Sequence, residues 1–451
     1  MTKTADVIVI GAGVAGLSAA TALAERGARV TVVEARPTLG GRASSYRDPA
    51  TGEIVDNGQH ILIGCYREAF ALLRRIGSET GVHLQASLEV PFVDSDGIRT
   101  TLSCPMLPAP YHLLAGLLEW DALPWADRLS ALRMGPVIKL AQKHLRGRTD
   151  RIAASPEETV EAWLVRNGQR PRLREMLWDP LALAALNQPA SEAAAPAFVR
   201  VLAEMFAADP RAASLGLPTV PLSDLFAEPA RRYIRARGGD VLTRALGWVV
   251  VSPKRAVGVA IRSGPFLRAD AVVSAVPWFA VRELFNEPPA VLGAILNRAR
   301  QMASYPIVTV NLWFDDQVLD TPFVGLPGRA MQWVFAKEHP GDRNTCRVSL
   351  VSSGATGIAK QTSDEIIALA LDELRQAIPA ARAAGLTRAT VVRERRATFS
   401  LAPGQPARPT AVTPLPGFFL AGDWTDTGLP GTIESAAASG HAAAAAVEGS
   451  V

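Results

Sequence analysis

The run Gly11-Ala12-Gly13-Val14-Ala15-Gly16, with Glu34 further along, is a set of residues that can hold a dinucleotide. Gly11 permits a tight turn out of a strand. Gly13 lets the backbone approach a pyrophosphate, and Gly16 allows close packing of the next helix on the sheet. The free N–H groups at that helix start then face the phosphates. Glu34 lies about 20 residues on, where a carboxylate accepts hydrogen bonds from ribose hydroxyls. A glycine run alone is a weak signal. Here the elements that must position it are also present. Val7–Ile10 reads as a buried strand, the stretch from Val14 as a helix, and Val30–Val33 as a second strand that delivers Glu34 at its end.

With 451 residues the chain suggests two domains, and 48% hydrophobic against 20% charged residues is enough for a substantial core. The 47 Lys and Arg against 43 Asp and Glu leave a net charge of only +4. That is too mild to argue for nucleic acid, and no basic block is interleaved with aromatics. It is compatible with an anionic membrane surface. Cys65, Cys104 and Cys346 are scattered and fit neither a disulfide framework nor a zinc site, so no metal is expected and a reducing cytoplasm is. The first strand begins almost at the N-terminus, leaving no room for a signal peptide. No apolar run is long enough to span a bilayer, and Ala442–Val447 reads as the end of a final helix.

Glu34 continues as Ala35-Arg36-Pro37-Thr38-Leu39-Gly40-Gly41-Arg42. This resembles the E-x-R-x-x-x-G-G-R signature of the flavin amine oxidoreductase superfamily, which includes amine oxidases and carotenoid desaturases. Near the other end, Phe418-Phe419-Leu420-Ala421-Gly422-Asp423 and Gly431-Thr432-Ile433-Glu434 are similar to the segments that close on the other half of FAD there. The resemblance implies FAD, with cofactor contacts at Gly11, Gly13, Ala15, Gly16, Glu34, Ala35, Arg36, Gly41 and Arg42. It also implies contacts at Asn57, Gly58, Gln59, His60, Gly422, Asp423, Gly431, Thr432 and Ile433. Asp423 would orient polar groups around the pyrophosphate and ribityl chain. The helix start at Thr432-Ile433 would stabilise negative charge on reduced flavin. FAD is expected to be noncovalent, because the 390–405 stretch has no cysteine matching the one that anchors flavin in some members.

The implied fold is α/β (α+β overall). A Rossmann-like FAD-binding domain is assembled from 1–85, 222–300 and 390–451. A substrate domain of mixed sheet and helices, 86–221 and 301–389, is inserted in the manner of amine oxidases. One departure falls between Gly239 and Val276, where a clear strand is expected. The sequence there reads Thr243-Arg244-Ala245-Leu246-Gly247-Trp248, which suggests a late start or a bulge at Gly247 and leaves the adenine contact open.

Two further motifs narrow the resemblance. Asp56-Asn57-Gly58-Gln59-His60 followed by Gly64-Cys65-Tyr66, and Leu183-Ala184-Ala185-Leu186-Asn187-Gln188-Pro189, resemble segments of hydroxysqualene dehydroxylases. That implies reductive dehydroxylation of hydroxysqualene to squalene on the route to hopanoids. The alternatives are a carotenoid or phytoene desaturase and, less favoured, an amine oxidase. Amine oxidases hold the substrate nitrogen between aromatic side chains, one of them a Tyr two residues before the counterpart of Glu434. Thr432 stands there instead. The chemistry requires an apolar tunnel and a proton donor for the leaving hydroxyl. His60 is the candidate donor, or else a structural histidine under the flavin. Asn187 is a candidate for binding the hydroxyl, or else a helix C-cap. Trp333 either lines the tunnel or fills core.

Residues 105–148 read as a helical lid. Leu107, Tyr111, Leu114, Leu117, Leu118, Trp120, Trp125, Leu129, Leu132 and Val137 are interspersed there with Arg128, Arg133, Lys139, Lys143, Arg146 and Arg148. Such composition suits either an interfacial membrane segment or an ordinary amphipathic cover. The expected partners are therefore a hydrophobic C30 isoprenoid, a membrane surface and neighbouring squalene-pathway enzymes. The expected location is cytoplasmic, at the membrane periphery.

Overall fold

Short apolar strands with helices on their faces build the first layer. The computed structural model describes residues 6–252, 254–337 and 346–450. Five strands pair in parallel in the order Asp240–Leu242, Arg29–Val33, Asp6–Ile10, Ala271–Ser274 and Phe418–Leu420. Ala271–Ser274 and Phe418–Leu420 are buried throughout, as expected of parallel strands covered on both faces. This is a parallel α/β sheet, drawn from three distant parts of the chain. The helix Val14–Glu25 and the final helix Ile433–Glu448 pack against each other on one side of it. Their alanine-rich faces let the backbones come close. A Cβ on Gly440 would stand 2.3 Å from the Ala15 carbonyl oxygen, and Ser18 Oγ donates to the Ala437 carbonyl at 2.9 Å.

The departure after Gly239 resolves into two elements. Asp240–Leu242 is the edge strand of the parallel sheet, and Gly247–Ser252 starts a separate antiparallel sheet with Arg255–Ile261 and Phe266–Arg268. The register irregularity lies between Val250 and Val251 and not at Gly247. Between the two elements the backbone follows the cofactor-side loop: Glu34 N–H donates to Leu242 O, Ala245 N–H to Glu34 O and Arg244 N–H to Arg36 O.

A second layer is a seven-stranded sheet. Its order is Leu386–Phe399, Ser304–Phe314, Cys346–Ser352, Trp333–Lys337, Phe323–Gly325, Glu89–Val93 and Arg99–Ser103, antiparallel except between Phe323–Gly325 and Glu89–Val93. One face packs on the helix Ser363–Ala377 through Ile366, Ala370 and Leu374. The other presents Phe92, Phe323, Trp333, Phe335 and Val351 to a helical layer formed by residues 111–205. Three expected domain boundaries fall within continuous structural units. The boundary at 390 falls inside the strand Leu386–Phe399, whose 14 residues carry the chain from the seven-stranded sheet back toward the first layer. The boundaries at 85 and 221 are bridged by a small sheet, in which Leu215–Pro218 pairs with Leu62–Ile63 and Val82–Leu84.

The lid is three helices, Tyr111–Glu119, Trp125–Ala131 and Met134–Leu145. Its apolar residues divide. Leu113, Leu117 and Trp120 are buried, whereas Leu107, Tyr111, Trp125, Leu129 and Leu132 are exposed. No helix among the described residues is long and apolar enough to cross a membrane.

Candidate cofactor and active site

The first glycine turn and the Gly-Gly-Arg turn stack on each other. Gly40 N–H donates to Ala12 O at 2.8 Å, and Gly13 bridges Gly40 in parallel. Gly41 has φ +61°, and a Cβ there would lie 3.2 Å from Gly13 Cα, so only glycine suits that position. The helix Val14–Glu25 has no side-chain cap and no acid in its first turn, with Ala15 and Gly16 in that turn. Its leading N–H groups are available to an anion. A Cβ built on Gly13 meets nothing within 4 Å, so the space in front of this helix start is open. Glu34 is held in place by two backbone donors, Ala12 N–H on Oε2 and Arg36 N–H on Oε1, each at 2.8 Å. Ala35 and Arg36 are exposed beside it. Open space, an uncapped helix start and an oriented carboxylate fit the pyrophosphate and ribose of FAD.

Arg42 ties the two ends of the chain together. Its Nη2 lies 2.7 Å from Asp423 Oδ1, and Nη1 donates to the Ala397 carbonyl. Burial works against the Arg42 charge, but Asp423 outweighs it and holds the guanidinium pKa above its ordinary value. Gly422 N–H donates to Ser439 Oγ at 2.9 Å, which positions Asp423 against the last helix. Gly431 sits between Thr398 and Asp423. Thr432 caps the final helix, accepting from Ser435 N–H at 3.2 Å, and Ile433 is its first residue. Glu434 turns away and accepts from Glu68 N–H and Ala69 N–H at 3.0 and 2.9 Å, capping the helix Arg67–Ile76. Burial pushes the Glu434 carboxyl up to about 7. The sequence reading gave Glu434 no such role, and neither the capped helix nor the burial is visible locally.

The 56–60 segment crosses the seven-stranded sheet. Asp56 accepts from Ser45 Oγ and Leu222 N–H on Oδ1, and its Oδ2 faces Lys337 Nζ at 3.6 Å. Asn57 Nδ2 reaches Arg42 O at 3.4 Å, and Gly58 lies over Thr309. Asn57, Gly58, Gln59 and His60 are all half-buried. His60 Nδ1 lies 3.1 Å from Gly58 O, so Nδ1 carries the hydrogen and Nε2 is left as an acceptor. Burial pushes the imidazole below its ordinary value. Gly58 O and Asp56 oppose this, and Arg42 and Lys337 add to it. The Gly58 contact and the burial account for the structural histidine that was the alternative to a proton donor at His60.

Asn187 differs from the hydroxyl-binding expectation. It ends the helix Asp179–Leu186 in the left-handed region, with φ 52° and ψ 35°. Its Nδ2 donates to Tyr305 O at 3.2 Å and Thr398 Oγ1 at 3.0 Å, and its Oδ1 accepts from Gly354 N–H at 2.7 Å. With both ends of the amide engaged and the side chain buried, Asn187 is a cap that ties the helical layer to the sheet.

Two half-buried apolar rows border the helical core cluster. Leu62 is fully buried, while its neighbours Ile61, Ile63 and Cys65 are half-buried against the helical layer, with strand alternation. Leu177, Leu181 and Ala185 form a second half-buried row at helical spacing. Trp333 projects from the sheet toward the same layer and lines a cavity of about 430 Å³ whose walls are partly apolar, with Phe92 and Leu183, and partly charged, with Asp179, Glu161, Glu175 and Arg329. Asp179 Oδ1 is buried and has no hydrogen-bond partner among the described residues. Burial pushes its carboxyl above the ordinary value; Arg174 opposes this and Glu161 and Glu175 reinforce it. Asp179 precedes the second motif by four residues, and no sequence signal separates it from a helix N-terminal acid.

A family model for flavin containing amine oxidoreductases matches residues 14–448. The chain is 30% identical over 446 residues to a hydroxysqualene dehydroxylase of Zymomonas mobilis, covering 97% of each chain. It is 32% identical over 457 residues to one of Rhodopseudomonas palustris, covering 98% of each. Among solved structures, an oxidoreductase of Methanosarcina mazei superposes with a TM-score of 0.73 at 17% identity, covering 96% of this chain and 98% of that one, a likeness of fold. A match over nearly the whole length, on a fold whose two ends meet at Arg42 and Asp423, makes this chain a member of the flavin containing amine oxidoreductase family, related throughout to its hydroxysqualene dehydroxylases.

Proposed function

We propose that this FAD-dependent oxidoreductase removes the hydroxyl of hydroxysqualene and yields squalene. The observation that carries this reading is identity of 30–32% to hydroxysqualene dehydroxylases over 97–98% of the chain. The reaction breaks one C–O bond. The oxygen leaves as water once protonated, and two electrons arrive as a hydride. Reduced FAD supplies that hydride when bound.

The chain's own residues supply the rest. Glu34, the helix start at Val14 and the Arg42–Asp423 pair hold and orient the cofactor. The half-buried rows of Ile61 and Ile63, of Leu177 and Leu181, and of Trp333 suit a long apolar chain and exclude water from it. Asp179 is the group we assign to hold the proton. It lines the cavity with Trp333, has a buried oxygen without a partner, and keeps its proton to higher pH than an ordinary carboxyl. Thr432 leaves the final-helix entrance without the aromatic ring that an amine substrate would need. Peripheral association with a membrane is part of this reading, because so apolar a substrate resides in lipid.

The test is incubation of the flavinated protein with a chemical reductant and hydroxysqualene, followed by mass spectrometry of the lipid extract. Formation of squalene supports the reading. Unchanged alcohol, alongside desaturation of C30 or C40 polyenes, would overturn it in favour of the oxidative alternative.

A further inference from the structure

We propose that the helix Trp125–Ala131 docks on an anionic lipid bilayer through Trp125, Leu129 and Leu132. This deepens the reading of a lipid substrate by naming the surface that meets the lipid. The three side chains are 65%, 53% and 45% exposed and recur at i, i+4 and i+7, on one face of the helix and its C-cap. The opposite face is anchored. Asp127 accepts from Leu173 N–H and from Arg170, which turns its charge inward. Arg128 donates to the Leu118 and Leu123 carbonyls while its guanidinium lies 4.8 Å over the Trp125 ring. The apolar face is thus held outward by a fixed scaffold.

Charge selects the occupant. The next helix, Met134–Leu145, carries Lys139 and Lys143 one turn apart, both exposed and without an ion pair among the described residues. An indole and two leucines beside free ammonium groups match the acyl boundary and anionic headgroups of a bilayer. A second copy packed on the same face about a twofold axis would bring these lysines toward each other, which disfavours a dimer. The face also leads inward. Trp120, which ends the preceding helix Tyr111–Glu119, packs on Phe92 at 5.3 Å between ring centres, and Phe92 meets Trp333 at 6.0 Å at the cavity wall.

Flotation of the full, flavinated chain with phosphatidylcholine vesicles, with and without phosphatidylglycerol, tests this without any turnover. A failure of the dehydroxylation reading would leave the result standing. The native protein should float with the anionic vesicles. Trp125→Ser/Leu129→Ser/Leu132→Ser should weaken partitioning at least about tenfold. Lys139→Gln/Lys143→Gln should weaken it roughly fivefold for each cation removed, on anionic vesicles alone. FAD content and melting temperature should be unchanged in both. Native-level flotation of the triple variant would overturn the proposal. So would a concentration-dependent dimer, seen by light scattering, that the triple variant abolishes.

Discussion

Gly13→Ala should separate the fold from its cofactor. Gly13 has φ −75° and ψ 177°, values open to any residue, and its added Cβ meets nothing within 4 Å. The apoprotein should therefore accept alanine, with a gain of about 0.4–1 kcal/mol from reduced freedom of the unfolded chain. The same methyl occupies the space in front of the uncapped helix start, where the pyrophosphate must approach. Displacing the phosphate from one charge-assisted hydrogen bond costs roughly 1.5–3 kcal/mol. That weakens FAD binding by about 10- to 150-fold for each bond lost. Apoprotein stability and cofactor affinity should thus move in opposite directions. Gly16→Ala is the control, because its Cβ would stand 1.9 Å from the Gly11 carbonyl oxygen and must disrupt the turn itself. Thermal melts of the apoproteins, with fluorescence titration by FAD, measure both quantities. An unchanged Kd for FAD in Gly13→Ala would put the pyrophosphate elsewhere. A fall of several degrees in its apoprotein Tm would refute the tolerance read from the backbone.

Asp179→Asn should retain FAD but lose dehydroxylation by roughly 10²–10⁴-fold, the range for a general acid. His60→Ala, fully flavinated, should lose far less, and a reversal of that order would identify His60 as the donor. Asn187→Ala should lower stability by about 2–4 kcal/mol, since it leaves Gly354 N–H unpaired and puts a Cβ residue without local support in the left-handed region. A normal melt with only a raised KM would instead return Asn187 to the substrate. The Glu434 carboxyl sits at about 7 in the folded chain against 4.5 for the free group. Its contribution is therefore fully present below about pH 4.5 and is lost as pH rises through about 7, by up to about 3 kcal/mol. Urea midpoints should fall over that window in the native protein and flatten in Glu434→Gln, and parallel profiles would show that the group does not titrate. Acid precipitation should release all the flavin, and colour retained in the pellet would reveal a covalent bond.

What the sequence disclosed follows from which groups do the binding. At 11–16, 34–42 and 422–433 the cofactor is met by backbone N–H groups, glycine-shaped space and a few side chains, Glu34, Arg42 and Asp423, set within short motifs, and all of these depend on residues close in sequence. These segments were legible, and the structure brings them together through the Arg42–Asp423 pair and the packed first and last helices. The reading was weaker wherever a side chain's state is set from far away. Asn187 is equally plausible as a ligand or a cap until Tyr305 and Thr398 arrive, 118 and 211 residues away, to occupy its amide. His60 looks like an acid until the sheet buries it and Lys337 adds a second positive charge. Trp120 and Trp125 share one composition and five residues of sequence. Phe92 takes one into the core, while the other meets only the Arg128 guanidinium on one ring face and stays exposed. A domain boundary at 390 was reasonable while a return to the dinucleotide domain was expected there, but Leu386–Phe399 is one continuous strand that serves the seven-stranded sheet. Cofactor chemistry in this chain is therefore written in local backbone demands, while proton chemistry depends on burial that only the assembled layers impose. The same division explains why Asp179, whose neighbours in sequence mark it merely as an acid at a helix start, emerges only when the sheet closes a cavity over it.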